Sequence, residues 1–202
     1  MRGYFITFEG MEGSGKSTQI KRAAGYLRKK GRAVLLLREP GGTRVGEAIR
    51  RVILDKKFKE MAPETELLLY FAARAQLVRE KILPALKKGK VVISDRFEDS
   101  TLAYQGFGRG ISLKEIQKIS GLVRNSLRPD LTFLLDLDVR EGLKRAGRGD
   151  RIERQSFNFH KKVRRGFLAL ARKDRRRIIV LNGRASRGAI ARKIRERLDR
   201  VF

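Results

Sequence analysis

The chain has 202 residues, 41% of them hydrophobic, enough for one domain with its own core, and 49 Lys and Arg against 22 Asp and Glu give a net charge of +27. With no cysteine and a single histidine, His160, disulfides, thiolate zinc sites and cysteine nucleophiles are excluded, and neither a Ser-His-Asp triad nor a histidine metal site is expected. The first apolar run stops at Glu9 and the longest, Leu67 to Ala73, is too short to span a bilayer, so a cytoplasmic chain with no secretory signal and no membrane partner is expected.

Taken in order, the first strand is Tyr4–Phe8, followed by a glycine-rich loop and a helix that stops at Gly31 after Lys29-Lys30. A second strand, Ala33–Leu37, runs into Arg38-Glu39-Pro40-Gly41-Gly42-Thr43, a tight-turn composition. Pro63 can open a long helix through Leu67–Ala73, and Gly89 closes the basic segment before the strand Val91–Ser94. Ser112 and Glu115 have capping-box spacing, which predicts a helix from Leu113 towards Asn125. Strands Leu131–Leu137 and Ile178–Leu181 follow, and His160 reads as a surface residue beside a basic stretch. Strands alternating with helices predict an α/β fold of three layers, a five-stranded parallel sheet flanked by helices, in one domain over residues 1–202.

Gly10-Met11-Glu12-Gly13-Ser14-Gly15-Lys16-Ser17 is the Gly-x4-Gly-Lys-Ser phosphate loop in its required setting of strand, loop and helix, which makes this a P-loop NTPase fold. Several backbone N–H groups must converge on one anion, and glycine lets the chain approach that closely. Lys16 would bridge the outer phosphates, the Ser17 hydroxyl would bind Mg2+, and Thr18 completes the candidate nucleotide contacts. The apolar strand ending in Ser94-Asp95-Arg96 is the usual partner of such a loop: Asp95 can orient Mg2+ and its waters, and Arg96 can neutralise a second phosphate. Arg38 stands at the carboxyl end of the second strand, where ligands of open α/β sheets bind, as a further candidate phosphate ligand.

These motifs, with Asp95-Arg96-Phe97-Glu98-Asp99-Ser100-Thr101-Leu102-Ala103-Tyr104-Gln105-Gly106, resemble the thymidylate kinase family from Gly3 to at least Ala171. Phe97 stands where the family usually has Tyr. The resemblance implies ATP as phosphoryl donor, dTMP as acceptor and a homodimer. It further implies that Tyr70 stacks on thymine while Arg74, four residues on and on the same helix face, donates to O4. Phe71 then points into the core. Arg96 would hold the dTMP phosphate, Ser100 and Gln105 would contact the base edge, Tyr104 would crowd the sugar 2′ position, and Glu12 would meet the 3′-hydroxyl.

Lys144-Arg145-Ala146-Gly147-Arg148-Gly149-Asp150-Arg151 fits a mobile lid at about 145–155. The family supplies its charge-stabilising arginine from the phosphate loop or from the lid. Here the loop position is Gly13, which sends the role to Arg148 or Arg151, with Arg145 behind them as an adenine or phosphate contact. Two rival readings are another or broad-specificity nucleoside monophosphate kinase, and a nucleic-acid-associated P-loop ATPase. The latter is motivated by residues 139–202, which carry 22 basic and 6 acidic residues. That surplus is either a solvated charged surface or a basis for weak, salt-sensitive association with nucleic acid, and no basic–aromatic stacking pattern accompanies it.

Overall fold

The computed structural model describes residues 3–147 and 149–202. β1 (Tyr4–Glu9) alternates as a strand buried on both faces must. Ile6 and Phe8 pack in one core cluster, while Phe5 packs in another with Val92 and Phe97, so Glu9, in phase with Phe5, also turns to that second side. β2 (Val34–Arg38), β3 (Val91–Asp95), β4 (Leu131–Asp136) and β5 (Ile178–Asn182) join it in one parallel sheet of order β2-β3-β1-β4-β5. Every observed strand end is within one residue of the sequence reading. Four strands reach one residue further at the carboxyl end than their apolar runs, because Glu9, Arg38, Asp95 and Asn182 still sit in ladder register with Leu134, Asp95, Arg38 and Asp136.

α1 (Lys16–Lys29) and α9 (Arg187–Leu198) pack on the Ile6 and Phe8 side. The remaining helices are α2 (Arg44–Leu54), α3 (Pro63–Leu77), α4 (Leu83–Lys87), α5 (Glu98–Thr101), α6 (Leu113–Arg124), α7 (Val139–Ala146) and α8 (Phe157–Lys173). Residues of α3, α4 and α8 supply the apolar clusters of the second face, which completes the expected three layers. A π-helical turn, Val78–Ile82, joins α3 to α4 just before Pro84, whose missing N–H breaks the regular ladder there. Among the described residues no helix is long and apolar enough to cross a membrane.

Two expectations are corrected. Ser112 is the N-cap residue of α6, yet its side chain makes no capping hydrogen bond, so the capping box does not form. His160 is fully buried rather than at the surface, edge-on to Phe159 at 5.4 Å between ring centroids. The basic neighbours misled: Phe159, His160, Val163, Phe167 and Ala171 form the inward stripe of α8 at helical spacing, and the lysines and arginines occupy the other side.

Candidate active site

The parallel register sets Phe8 beside Asp95 and Arg38 beside Asp95, so the loops after β1, β2 and β3 open onto one crevice at the carboxyl ends of the strands. The loop after β1 turns through left-handed glycines, with φ of +134° at Gly10 and +69° at Gly13, and leads into the N-terminus of α1 at Lys16. A Cβ at Gly13 would lie 2.2 Å from the Gly142 carbonyl oxygen of α7, so this position has no room for any side chain. The Lys16 ammonium donates to the Gly10 and Met11 carbonyls at 3.0 and 2.9 Å. Burial, then the nearby Arg96 charge, push its pKa down to about 8 against the pull of Asp95, Glu12 and Glu9.

A cavity of about 320 Å³ lies between these loops. Its walls bring together Lys16, Ser17, Asp95, Arg96, Glu12, Arg38, Tyr70, Arg74, Ser100, Tyr104 and Gln105, every one of them a candidate from the sequence. Arg96 is the hub, in a left-handed conformation (φ +72°) that few non-glycine residues adopt. Its guanidinium donates to Glu12 at 2.8 Å, to Ser100 Oγ at 3.0 Å and to the Tyr104 hydroxyl at 3.2 Å, while Tyr104 donates to Glu12 at 2.6 Å. Burial works against the Glu12 charge, but Arg96, Lys16 and the Tyr104 hydroxyl outweigh it and hold the carboxyl below its ordinary range.

Arg74 is buried and fixed from several directions. Its Nε and Nη2 donate to Glu39 Oε2 at 2.8 and 2.6 Å, Nη2 also reaches Thr101 at 2.9 Å, and the Phe97 and Phe71 rings lie 4.9 and 5.5 Å from the guanidinium. Nη1 is buried with no hydrogen-bond partner among the described residues, on a side chain that lines the cavity. Phe71 is in the core, as expected, and Tyr70 is on the cavity wall, half-buried, with burial raising its phenol pKa. Phe97 is also fully buried, against Phe5 and Arg74, a place that needs a ring and no hydroxyl.

Gln105 lies on the wall with its amide donating to Glu66 at 2.9 Å. Glu66 also accepts from Arg109 at 2.9 Å and from Arg151 at 2.6 Å. Arg151, expected to reach the transferring phosphoryl group, is instead buried, with Nε on the Ile53 carbonyl at 2.9 Å, and it is not on the cavity wall. The reason is electrostatic: fully buried Glu66 needs cations, and among the described residues Arg151 is one of two that reach it. Arg145 is exposed and pairs loosely with Glu141 at 3.6 Å, beside Gly13 but off the wall, and Arg148 lies outside the described residues.

Arg50, Glu39 and Asp150 also line the cavity and were not singled out from the sequence. Arg50 donates to the Pro40 carbonyl at 2.8 Å. Its place seven residues after the N-cap Thr43, on the helix that leaves the Arg38–Thr43 turn, was the available signal. For a divalent cation, the Ser17 hydroxyl and Asp95 carboxylate are hard oxygen donors on one wall, and no cluster of three or more His, Cys, Asp or Glu suited to a metal occurs among the described residues. So sparse a donor set suits Mg2+, which takes one or two protein oxygens and completes its shell from phosphates and water.

A family model described as thymidylate kinase matches residues 8–194. A thymidylate kinase of Geobacter sulfurreducens is 52% identical over 190 residues, covering 90% of this chain and 89% of the relative. One from Kosmotoga olearia is 45% identical over 201 residues, covering 98% and 94%. The crystal structure of thymidylate kinase from Ehrlichia chaffeensis superposes with a TM-score of 0.80 at 34% identity, covering 98% of this chain and 99% of that one.

Proposed function

The chain belongs to the thymidylate kinase family and transfers the γ-phosphoryl group of ATP to dTMP, and from that premise we propose how its residues divide the reaction. The observation that carries the proposal is that Lys16 and Arg96, a donor-side and an acceptor-side cation, line the same cavity. Phosphoryl transfer needs little covalent chemistry from the protein. In-line placement and cancellation of charge on the transferring group do most of the work. The loop Gly10–Ser17 with Thr18 cradles the ATP phosphates on backbone N–H groups at the α1 N-terminus, and Lys16 bridges the outer two.

Arg96 grips the dTMP phosphate, with Arg38 at the rim. Glu12 accepts from the 3′-hydroxyl, and Tyr104, tied to Glu12, crowds the 2′ position. Tyr70 stacks on the base, Arg74 offers its remaining Nη1 edge to O4, and Ser100 and Gln105 line the base edge. The attacking oxygen is already an anionic phosphate oxygen, so no general base is required. Ser17 and Asp95 would hold Mg2+, which when bound adds positive charge next to the phosphates. The lid arginine that steadies the transferring group comes from Arg145 or Arg148, since Arg151 is engaged with Glu66. The test is Lys16→Met, which should lose phosphoryl transfer while keeping cooperative unfolding. Full activity in that variant would contradict the assignment.

The finer setting belongs to the same reading. The enzyme works in the cytoplasm on free nucleotides, as a homodimer, and Leu68 of α3 and Leu122 of α6 expose apolar surface on two helices whose cores pack together. Light scattering would report the dimer. Any association of the basic surface with nucleic acid is weak and salt-sensitive.

A further inference from the structure

We propose that Glu9 is a positioning residue for Arg96: from the end of β1 it holds the segment that follows the arginine, at Phe97 and Ser100, and, through Ser100, aims the guanidinium at the acceptor phosphate. This rests on the reading of Arg96 as the ligand of that phosphate. Glu9 is fully buried, and burying a carboxyl is costly unless its oxygens are used. Both are used on the Arg96 turn. Oε1 accepts from the Phe97 backbone N–H at 2.8 Å, and Oε2 accepts from the Ser100 hydroxyl at 2.5 Å. The Ser100 oxygen in turn accepts from Arg96 Nη1 at 3.0 Å, giving the chain Arg96, Ser100, Glu9.

The turn needs this fastening because Arg96 has a left-handed backbone and no glycine to relieve it. Two bonds hold Arg96 itself, its N–H to the Phe8 carbonyl at 3.0 Å and its carbonyl from Ser94 Oγ at 2.8 Å. Glu9 supplies the hold on the next residue and on the side chain. It is not on the cavity wall and so acts through Arg96 rather than on substrate. A Leu or Met would fill the same volume, but it would leave the Phe97 N–H unsatisfied and the Ser100 hydroxyl free to turn.

Steady-state kinetics of Glu9→Gln, Arg96→Gln and the double variant, varying dTMP and ATP separately, test the proposal. Gln keeps the size and an acceptor for Phe97 but offers Ser100 a donor in place of an acceptor. Above pH 8, where Glu9 is ionised and only accepts, Glu9→Gln should raise KM for dTMP about tenfold while KM for ATP stays within about twofold. The effect should disappear in the Arg96→Gln background, since a residue acting through another cannot add to its loss. Equal rises in both KM values, an additive double variant or an unchanged KM for dTMP would overturn it. If Arg96→Gln alone leaves KM for dTMP unchanged, the reading of Arg96 fails, and this inference with it. Should the Gln variant not fold, Glu9→Asp, which withdraws the carboxyl from Ser100, carries the same expectations.

Discussion

Arg96 and Glu12 meet at 2.8 Å across 84 residues of chain, joining the loop after β3 to the loop after β1. The pair is charged, partly screened from water, and completed by Tyr104, which donates to the same carboxylate at 2.6 Å. It ties Arg96 to the phosphate loop itself, so these two walls of the cavity are not free to drift apart.

Glu12→Gln should therefore weaken use of dTMP more than use of ATP. We expect kcat/KM for dTMP to fall by one to two powers of ten, roughly what loss of a charge-assisted hydrogen bond implies. A 3′-deoxy analogue of dTMP should lose the same increment with the parent enzyme and little more with the variant. Equal discrimination by both enzymes would remove the 3′-hydroxyl contact from the account.

Gly13→Arg should not restore a loop arginine. The new Cβ would meet the Gly142 carbonyl at 2.2 Å, and φ at this position is +69°. The variant should lose about 1–3 kcal/mol of stability, read as a lower thermal midpoint, with no gain in kcat.

Arg151 is assigned to structure rather than chemistry by its bond to Glu66 at 2.6 Å. Arg151→Met should cost about 3–5 kcal/mol, since it removes one partner of a buried ion pair. Thermal unfolding checks this. A fully stable variant with greatly reduced kcat would return Arg151 to the catalytic set.

Glu9 also makes stability depend on pH. Burial, then the neighbouring Asp99, raise its pKa to about 8, against the opposing pull of Ser100, Arg96 and the Phe97 N–H. The unfolded carboxyl titrates at about 4.3. The fold thus binds the proton more tightly, and this contribution is complete below the unfolded value and is lost as pH rises through 8. Thermal midpoints of the parent should decline relative to Glu9→Gln between about pH 5 and pH 8.5. A constant gap across that range would contradict it.

The strands and the phosphate loop were legible in the sequence because their signals are local: apolar runs, glycine spacing, a lysine before a serine. Residues that act at a distance were not. His160 has basic neighbours in sequence, while its burial follows from the phase of α8. Arg177 reads as the last member of a basic run, yet it forms ion pairs with Asp99 at 2.6 Å and Asp174 at 2.7 Å. Arg151 stands in a glycine-interrupted basic segment, and its partner Glu66 is visible only once α3 is placed. Glu9 looked like the end of an apolar run, and only the β1–β3 pairing brings it under Arg96.

Acceptor choice follows from the side chains that line the cavity. Phosphoryl transfer from ATP to dTMP, dUMP, dCMP, dGMP and UMP should be measured side by side. Transfer should be efficient to dTMP and weaker to dUMP, which keeps O4; it should be slight to dCMP, whose 4-amino group would meet the donor-only Arg74, to UMP, whose 2′-hydroxyl would meet Tyr104, and to dGMP, whose purine is larger than the pyrimidine proposed to stack on Tyr70. Equal rates on dCMP or UMP, or ATP hydrolysis indifferent to dTMP and stimulated by nucleic acid, would contradict it.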